Sequence, residues 1–374
     1  MKRRTVCTPT KVFWPGVWAD LMVDPAIKKL RDVGSDYVLP FQIVESGLRG
    51  RFVRLDNSVD KILGQHNYPE IPSVLLGEAL ALTAILSATV KFNGKFTLQA
   101  QSQSQTAMRT LVADVDTEGH LRGYVGFDPE AVKELDENST LARIFGGGYL
   151  AFTVERGGGE GRYQGIVPLE GETLADSVHH YFRQSEQIPT GIRLACRKNS
   201  DGRWCAAGIL VQRVPDSGGE PISGGDHFPR TDPENWEQDE GYMRAMALMS
   251  TLKDNEMTAE NLSPEKLLFQ LFHEDGVRIW EPTSITGECA CPPKKFHELL
   301  GRLPRQEVNE CKVDGIVSVT CEFCGKTESF DDAALDEIFS DISSLTATSV
   351  CSISICLSVR ANRVVSIAFL ACSG

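Results

Sequence analysis

No apolar run in this sequence reaches the roughly 20 residues that a membrane-crossing helix needs. The longest, Val74 to Val90, is 17 residues with Glu78 inside it, and it is expected to be a buried core helix. Basic charge is also in short supply. Fifty-one acidic against 38 basic side chains give −13 at pH 7, which argues against a general electrostatic grip on nucleic acid, although a local basic face could survive it. Gly146-Gly147-Gly148 and the glycines of 157–161 lack the Lys-Ser/Thr of a phosphate loop, and there is no Gly-x-Ser-x-Gly elbow or other nucleophile-base motif. His179-His180 has no paired ligand spacing, and no repeat period is visible. No catalytic residue is therefore assigned and no enzyme activity is expected. Lys2-Arg3-Arg4 precedes an apolar stretch broken by Pro15, without the features of a secretory signal. The expectation is a cytoplasmic protein with reduced thiols and no membrane partner.

What is present is ordinary globular composition, 41% hydrophobic and 24% charged, in a chain of 374 residues that is long for one domain. The pattern is α+β, with an N-terminal mixed core domain, a helical linker and a small C-terminal four-cysteine zinc module. Residues 1–35 are taken as an irregular extension and 36–215 as the core domain. Strands are expected at 38–44, 48–55, 96–101, 108–115, 149–155, 163–167, 192–197 and 204–214, with helices at 59–66 and 174–186. Residues 216–288 carry 16 acidic and 5 basic side chains and should be an acidic, metastable linker that depends on docking against the core. Its first part, 216–235, is rich in Gly, Pro and Asp and is expected to be a loop. Met243, Met246, Met249 and Leu252 suggest one short apolar stripe, and Leu267, Leu268, Leu271 and Phe272 another. Residues 289–339 form the cysteine module, and 340–374 are a tail of unassigned fold.

Cys289-Ala290-Cys291 is followed after 29 residues by Cys321-Glu322-Phe323-Cys324. Two close cysteine pairs can complete a tetrahedral zinc site, and Gly325 would help the backbone turn back towards the metal. His297 and Cys311 lie between the pairs as rival ligands. A closed site of four sulfurs leaves no position for water, so it is structural or redox-active rather than hydrolytic. Either pair can bridge on oxidation, which would remove all four ligands and eject the metal.

These pairs, together with Gly165-Ile166-Val167-Pro168-Leu169-Glu170-Gly171, the run from Tyr181 to Thr190 (YFRQSEQIPT) and Leu271-Phe272-His273-Glu274, resemble the redox-regulated zinc heat-shock chaperones, the 33 kDa chaperonin family. The resemblance covers about 36–334. It implies an ATP-independent holdase, idle while reduced and holding one Zn2+ per chain on Cys289, Cys291, Cys321 and Cys324. Oxidation would form Cys289–Cys291 and Cys321–Cys324 disulfides, release zinc, unfold the linker and give a homodimer that binds unfolding client proteins. Cys311 is an additional thiol within the switch. Two other classes remain open: a zinc-ribbon nucleic-acid binder, disfavoured because 6 basic and 6 acidic side chains cancel over 289–330, and a dithiol oxidoreductase using Cys321 and Cys324.

Overall fold

The computed structural model describes residues 34–136, 138–155, 162–213 and 239–343, and the strands Thr10–Phe13, Ile355–Val359 and Val365–Phe369. It divides into two compact units, Met1–Gly287 and Glu288–Gly374. The expected loop at 216–235, the glycines of 157–161 and most of 1–35 and 340–374 lie outside the described residues. The α+β class holds.

The first unit begins with strand β1 (Thr10–Phe13), hairpin strands β2 (Tyr37–Ile43) and β3 (Leu48–Leu55), and helices α1 (Asn57–Gly64) and α2 (Glu70–Ser87). Strands β4 (Lys95–Gln101), β5 (Met108–Asp116) and β6 (His120–Phe127), helices α3 (Pro129–Lys133) and α4 (Leu141–Phe145), and strands β7 (Tyr149–Glu155) and β8 (Arg162–Pro168) follow. Helix α5 (Leu174–Tyr181) leads to strands β9 (Thr190–Lys198) and β10 (Trp204–Gln212). The described part of the acidic segment supplies α6 (Glu240–Ser250), α7 (Asp254–Met257), α8 (Pro264–Phe272), β11 (Val277–Ile279), β12 (Thr283–Ser284) and β13 (Thr286–Gly287). One sheet has the order β1-β11-β2-β3-β10-β9 with β12 also on β2; the other has β13-β6-β5-β4-β7-β8.

Helix α2 lies between the two sheets. It is long and apolar enough to cross a membrane by composition, but 72% of it is buried inside the protein. Both sheets come close to it where they carry glycine. A Cβ at Gly123 of β6 would sit 2.9 Å from Leu76, and one at Gly208 of β10 would sit 2.7 Å from Ile85. The opposite face of the first sheet is covered by α6, α7 and α8, where Tyr242, Met249, Leu268 and Phe272 are buried against Leu39, Phe41, Phe52 and Ile209.

Three local features depart from the sequence expectation. Strand β6 is not anticipated because Arg122, Gly123 and Gly126 interrupt its apolar pattern; Arg122 is tolerated inside because Asp114 accepts from it at 2.8 and 2.9 Å. The expected helix 174–186 is α-helical only to Tyr181 and ends in a π-turn, Phe182–Glu186, closed by Gln187 in the left-handed region. The stripe in α6 is not one face. Met249 and Leu252 are buried and Met246 packs against the same core, but steps of three residues rotate by about 60° each, so Met243 turns away from it. Met243 is half exposed, while Tyr242, Ala245 and Met249 make the buried face and Leu252 is buried beyond the helix end.

Asp36 ties several of these elements together. Its buried carboxylate accepts from the backbone N–H groups of Asp56, Asn57 and Ser58 at 2.8 to 3.2 Å, capping α1 from the residue just before β2, and its own carbonyl accepts from Ile285 at 3.0 Å. Asp36→Ala leaves those donors without their carboxylate and should cost about 1–3 kcal/mol. The expected readout is a lower urea midpoint with an unchanged slope; an unchanged midpoint would show that solvent replaces the cap.

Candidate metal centre

In the second unit, helices α9 (Pro293–Leu300) and α10 (Arg305–Glu310) precede the hairpin strands β14 (Val317–Cys321) and β15 (Thr327–Phe330), and helix α11 (Asp332–Ser343) follows. Strands β16 (Ile355–Val359) and β17 (Val365–Phe369) complete the order β15-β14-β17-β16. Among the described residues Phe296, Leu299, Leu300, Val308, Val317, Val319, Phe323, Phe330, Leu335 and Ile338 are buried here.

Each cysteine pair is shaped by backbone turns. The N–H of Cys291 donates to the carbonyl of Cys289 at 3.0 Å, and Pro292 and Pro293 start α9 directly after, because proline suits the first helical turn. On the hairpin, Cys321 donates to the Lys326 carbonyl at 2.9 Å and accepts from Gly325 at 2.8 Å. Gly325 has a φ of 68°, a backbone conformation that costs glycine nothing. The turn buries Phe323 and leaves the flanking sulfurs facing one point.

The four sulfurs of Cys289, Cys291, Cys321 and Cys324 lie within 4.8 Å of one another and could hold a metal ion. Between the pairs, Cys291 approaches Cys324 at 3.3 Å and Cys289 approaches Cys321 at 3.8 Å. Without a cation, ionisation of one thiol opposes ionisation of its neighbours. Burial, then contact with Cys324 and Cys289, pushes the Cys291 thiol from the ordinary 9.0 to about 12. Contact with Cys289, then burial, raises that of Cys321.

The two rival ligands stand apart from this group. His297 meets the edge of the Phe330 ring at 5.6 Å, and Cys311 caps the end of α10; neither belongs to the sulfur cluster. Sequence reasoning did not single out Lys326. Its ammonium lies 2.8 Å from Glu328, the main cause of its raised pKa, with Cys291 and Cys324 adding to it. The only sequence signal was its place directly after Cys324-Gly325.

Two sheets enclosing a helix, with a separate unit carrying four convergent thiols, define a two-part α+β protein with a metal-binding-competent cysteine cluster. Residues 36–331 match the Hsp33 protein family. The chain is 37% identical over 303 residues to the 33 kDa chaperonin of Caulobacter vibrioides, covering 79% of this chain and 95% of that one. It is 34% identical over 293 residues to the 33 kDa chaperonin of Vibrio cholerae, covering 78% and 91%. The crystal structure of the 33 kDa chaperonin (heat shock protein 33 homolog) from Thermotoga maritima is similar in fold, with a TM-score of 0.65 at 22% identity over 83% of this chain and 99% of that one. This chain belongs to the Hsp33 family of heat-shock chaperones.

The raised thiol pKa values give a pH signature. A metal ion has to displace the protons that these raised values hold on the sulfurs. With reductant present, the affinity of the cluster for Zn2+ should therefore keep rising with pH from about 6 to 9, as measured by competition with a chelator of known affinity at each pH. An affinity that levels off below the ordinary thiol range would contradict the thiol geometry.

Proposed function

We propose that this chain is a redox-regulated, ATP-independent holdase whose switch is a zinc ion on Cys289, Cys291, Cys321 and Cys324. The observation that carries this is the convergence of those four sulfurs within the second unit. Zn–S bonds of about 2.3 Å imply tetrahedral S···S edges of about 3.8 Å, near the separations between the pairs. Zinc supplies a compact double-positive charge that lets four crowded thiols ionise. Structural zinc contributes about 10–16 kcal/mol in small modules, against the about 5–15 kcal/mol that stabilises a whole domain. Residues 289–339 therefore depend on the metal for their fold.

Oxidation by two peroxide molecules would take four electrons from the four thiolates, form two disulfides and, with four protons, give four water molecules and free Zn2+. The pairing we favour is Cys289 with Cys291 and Cys321 with Cys324, which the chain keeps close after the metal leaves. The 3.3 Å approach of Cys291 to Cys324 favours a second pairing, between the two cysteine pairs, and disulfide mapping separates the two. In this reading 36–215 is the client-holding core and 216–288 the acidic linker released by the switch. The extensions 1–35 and 340–374 flank it. The oxidised form is a homodimer that binds unfolding proteins in the cytoplasm, performs no catalysis, and engages neither membranes nor nucleic acid.

The test compares zinc-loaded reduced protein with peroxide-treated protein in suppressing aggregation of a denatured client without nucleotide. Reduced protein should carry one zinc per chain and suppress little. Oxidised protein should suppress at near-stoichiometric amounts, and reductant with zinc should reverse the effect. Equal suppression by the reduced form, or zinc retained in a Cys321→Ser, Cys324→Ser double variant, would overturn the reading.

A further inference from the structure

The face of the first sheet beneath α6, α7 and α8 is not a plain apolar surface, because strand register places arginines on it. Tyr37, Arg54, Ala207 and Ala195 form one row across β2, β3, β10 and β9, and Leu39, Phe52, Ile209 and Arg193 form the next. Arg54 and Arg193 therefore share the side of the sheet that carries Leu39, Phe52 and Ile209. Arg203 and Arg213 stand just outside the two ends of β10.

Each of these arginines grips the acidic segment. Arg54 is 5% exposed and donates to the carbonyls of Met257 and Leu262, both at 3.0 Å, where α7 and the turn after it end. Arg193 meets Asp254 at 3.3 Å, Arg203 meets Glu260 at 3.2 Å, and Arg213 meets Asp239 at 2.6 Å. Asp239 is also the N-cap of α6, accepting from Tyr242 at 3.0 Å. Between these charged contacts the segment contributes an apolar face to the sheet.

The segment thus displays the chemistry of a ligand for this face: short helices with an apolar side, carboxylates at Asp239, Asp254 and Glu260, and carbonyls offered to Arg54 where α7 and the turn after it end. We infer that the uncovered face selects acidic amphipathic segments of client proteins, engaging them as it engages residues 239–273 of its own chain. This rests on the holdase reading for how the face becomes free, and it adds a client class. Once the segment leaves, Arg54 loses two carbonyl acceptors and the other three arginines lose their carboxylates. An apolar client segment without acidic groups satisfies the hydrophobic area but offers these arginines no carboxylate, although Arg213 still donates to the Ser46 carbonyl. One that carries carboxylates answers both.

The experiment uses two synthetic peptides: residues 239–273 as they stand, with six carboxylates and three basic side chains, and the same sequence with those six Asp and Glu replaced by Asn and Gln. Binding is measured by fluorescence anisotropy to the peroxide-oxidised full chain and to a reduced full-chain variant, Met249→Asp with Leu268→Asp, in which the segment is loosened without oxidation. On both forms the acidic peptide should bind about fivefold or more tightly than the amide peptide at low salt, and the gap should shrink as ionic strength rises. Arg193→Gln with Arg203→Gln should weaken the acidic peptide and leave the amide peptide unchanged. Equal binding of the two peptides, or binding of neither to the loosened variant, would overturn the inference. If oxidation fails to open the chain but the loosened variant discriminates, the holdase switch is wrong and the specificity of the face stands.

Discussion

The first sheet is apolar on both faces, and the rest of the large unit follows from that. Strand β10, Trp-Cys-Ala-Ala-Gly-Ile-Leu-Val-Gln, is buried along nearly its whole length, so neither of its sides can be left to water. Helix α2 covers one side. The other must be covered as well, and among the described residues the chain does this from Asp239 onwards. Phe272 stacks on Phe41 at 6.1 Å, and the Phe41 ring fits because Gly50 opposite has no Cβ, which would lie 2.1 Å from it. Burial at about 25 cal/mol per Å2 holds this cover in place, not helix propensity, since α7 has four residues and α8 nine.

Such a cover is conditional by construction. Its helices are too short to persist alone, and its acidic side chains repel one another without the arginines that answer them. The same carboxylates that make the segment soluble when free give it specific partners when docked. A segment with a stronger apolar face would be a permanent part of the core, and one with none would not dock. The sequence −11 charge bias and two thin stripes describe the balance between these limits.

Most of the large unit was legible because its strands alternate or run continuously apolar, as in β2, β3, β7 and β10, and because α2 is uniformly hydrophobic. The four cysteines were legible from spacing alone, since CxC and CxxC turns aim both sulfurs the same way. Strand β6 was hidden because a buried Arg122 has to be read together with Asp114, eight residues earlier and on a different strand. The covering face of α6 was misread because methionines three apart spiral round a helix, whereas Tyr242, Ala245 and Met249 keep to one side. Spacing could not separate His297 and Cys311 from the sulfur cluster either; the fold shows His297 packed on Phe330. The arginine grip was invisible in one dimension, because Arg54 and Met257 are separated by 203 residues.

The stretch just before the first thiol carries a constraint of its own. Thr283 and Ser284 pair with β2 in the first sheet, while Thr286 and Gly287 pair in parallel with His120 and Leu121 in the second. Ile285, between them, is buried and donates to Asp36. Gly287 cannot carry a side chain, because a Cβ there would lie 2.8 Å from the backbone of Ser58. A few residues therefore stitch both sheets together, and Cys289 follows two positions later. Ladder bonds at about 0.5–1.5 kcal/mol each make this stitch weaker than either sheet. Under the proposal that the thiol module is a switch, a change carried along the covalent chain would reach this stitch before the deep core around α2.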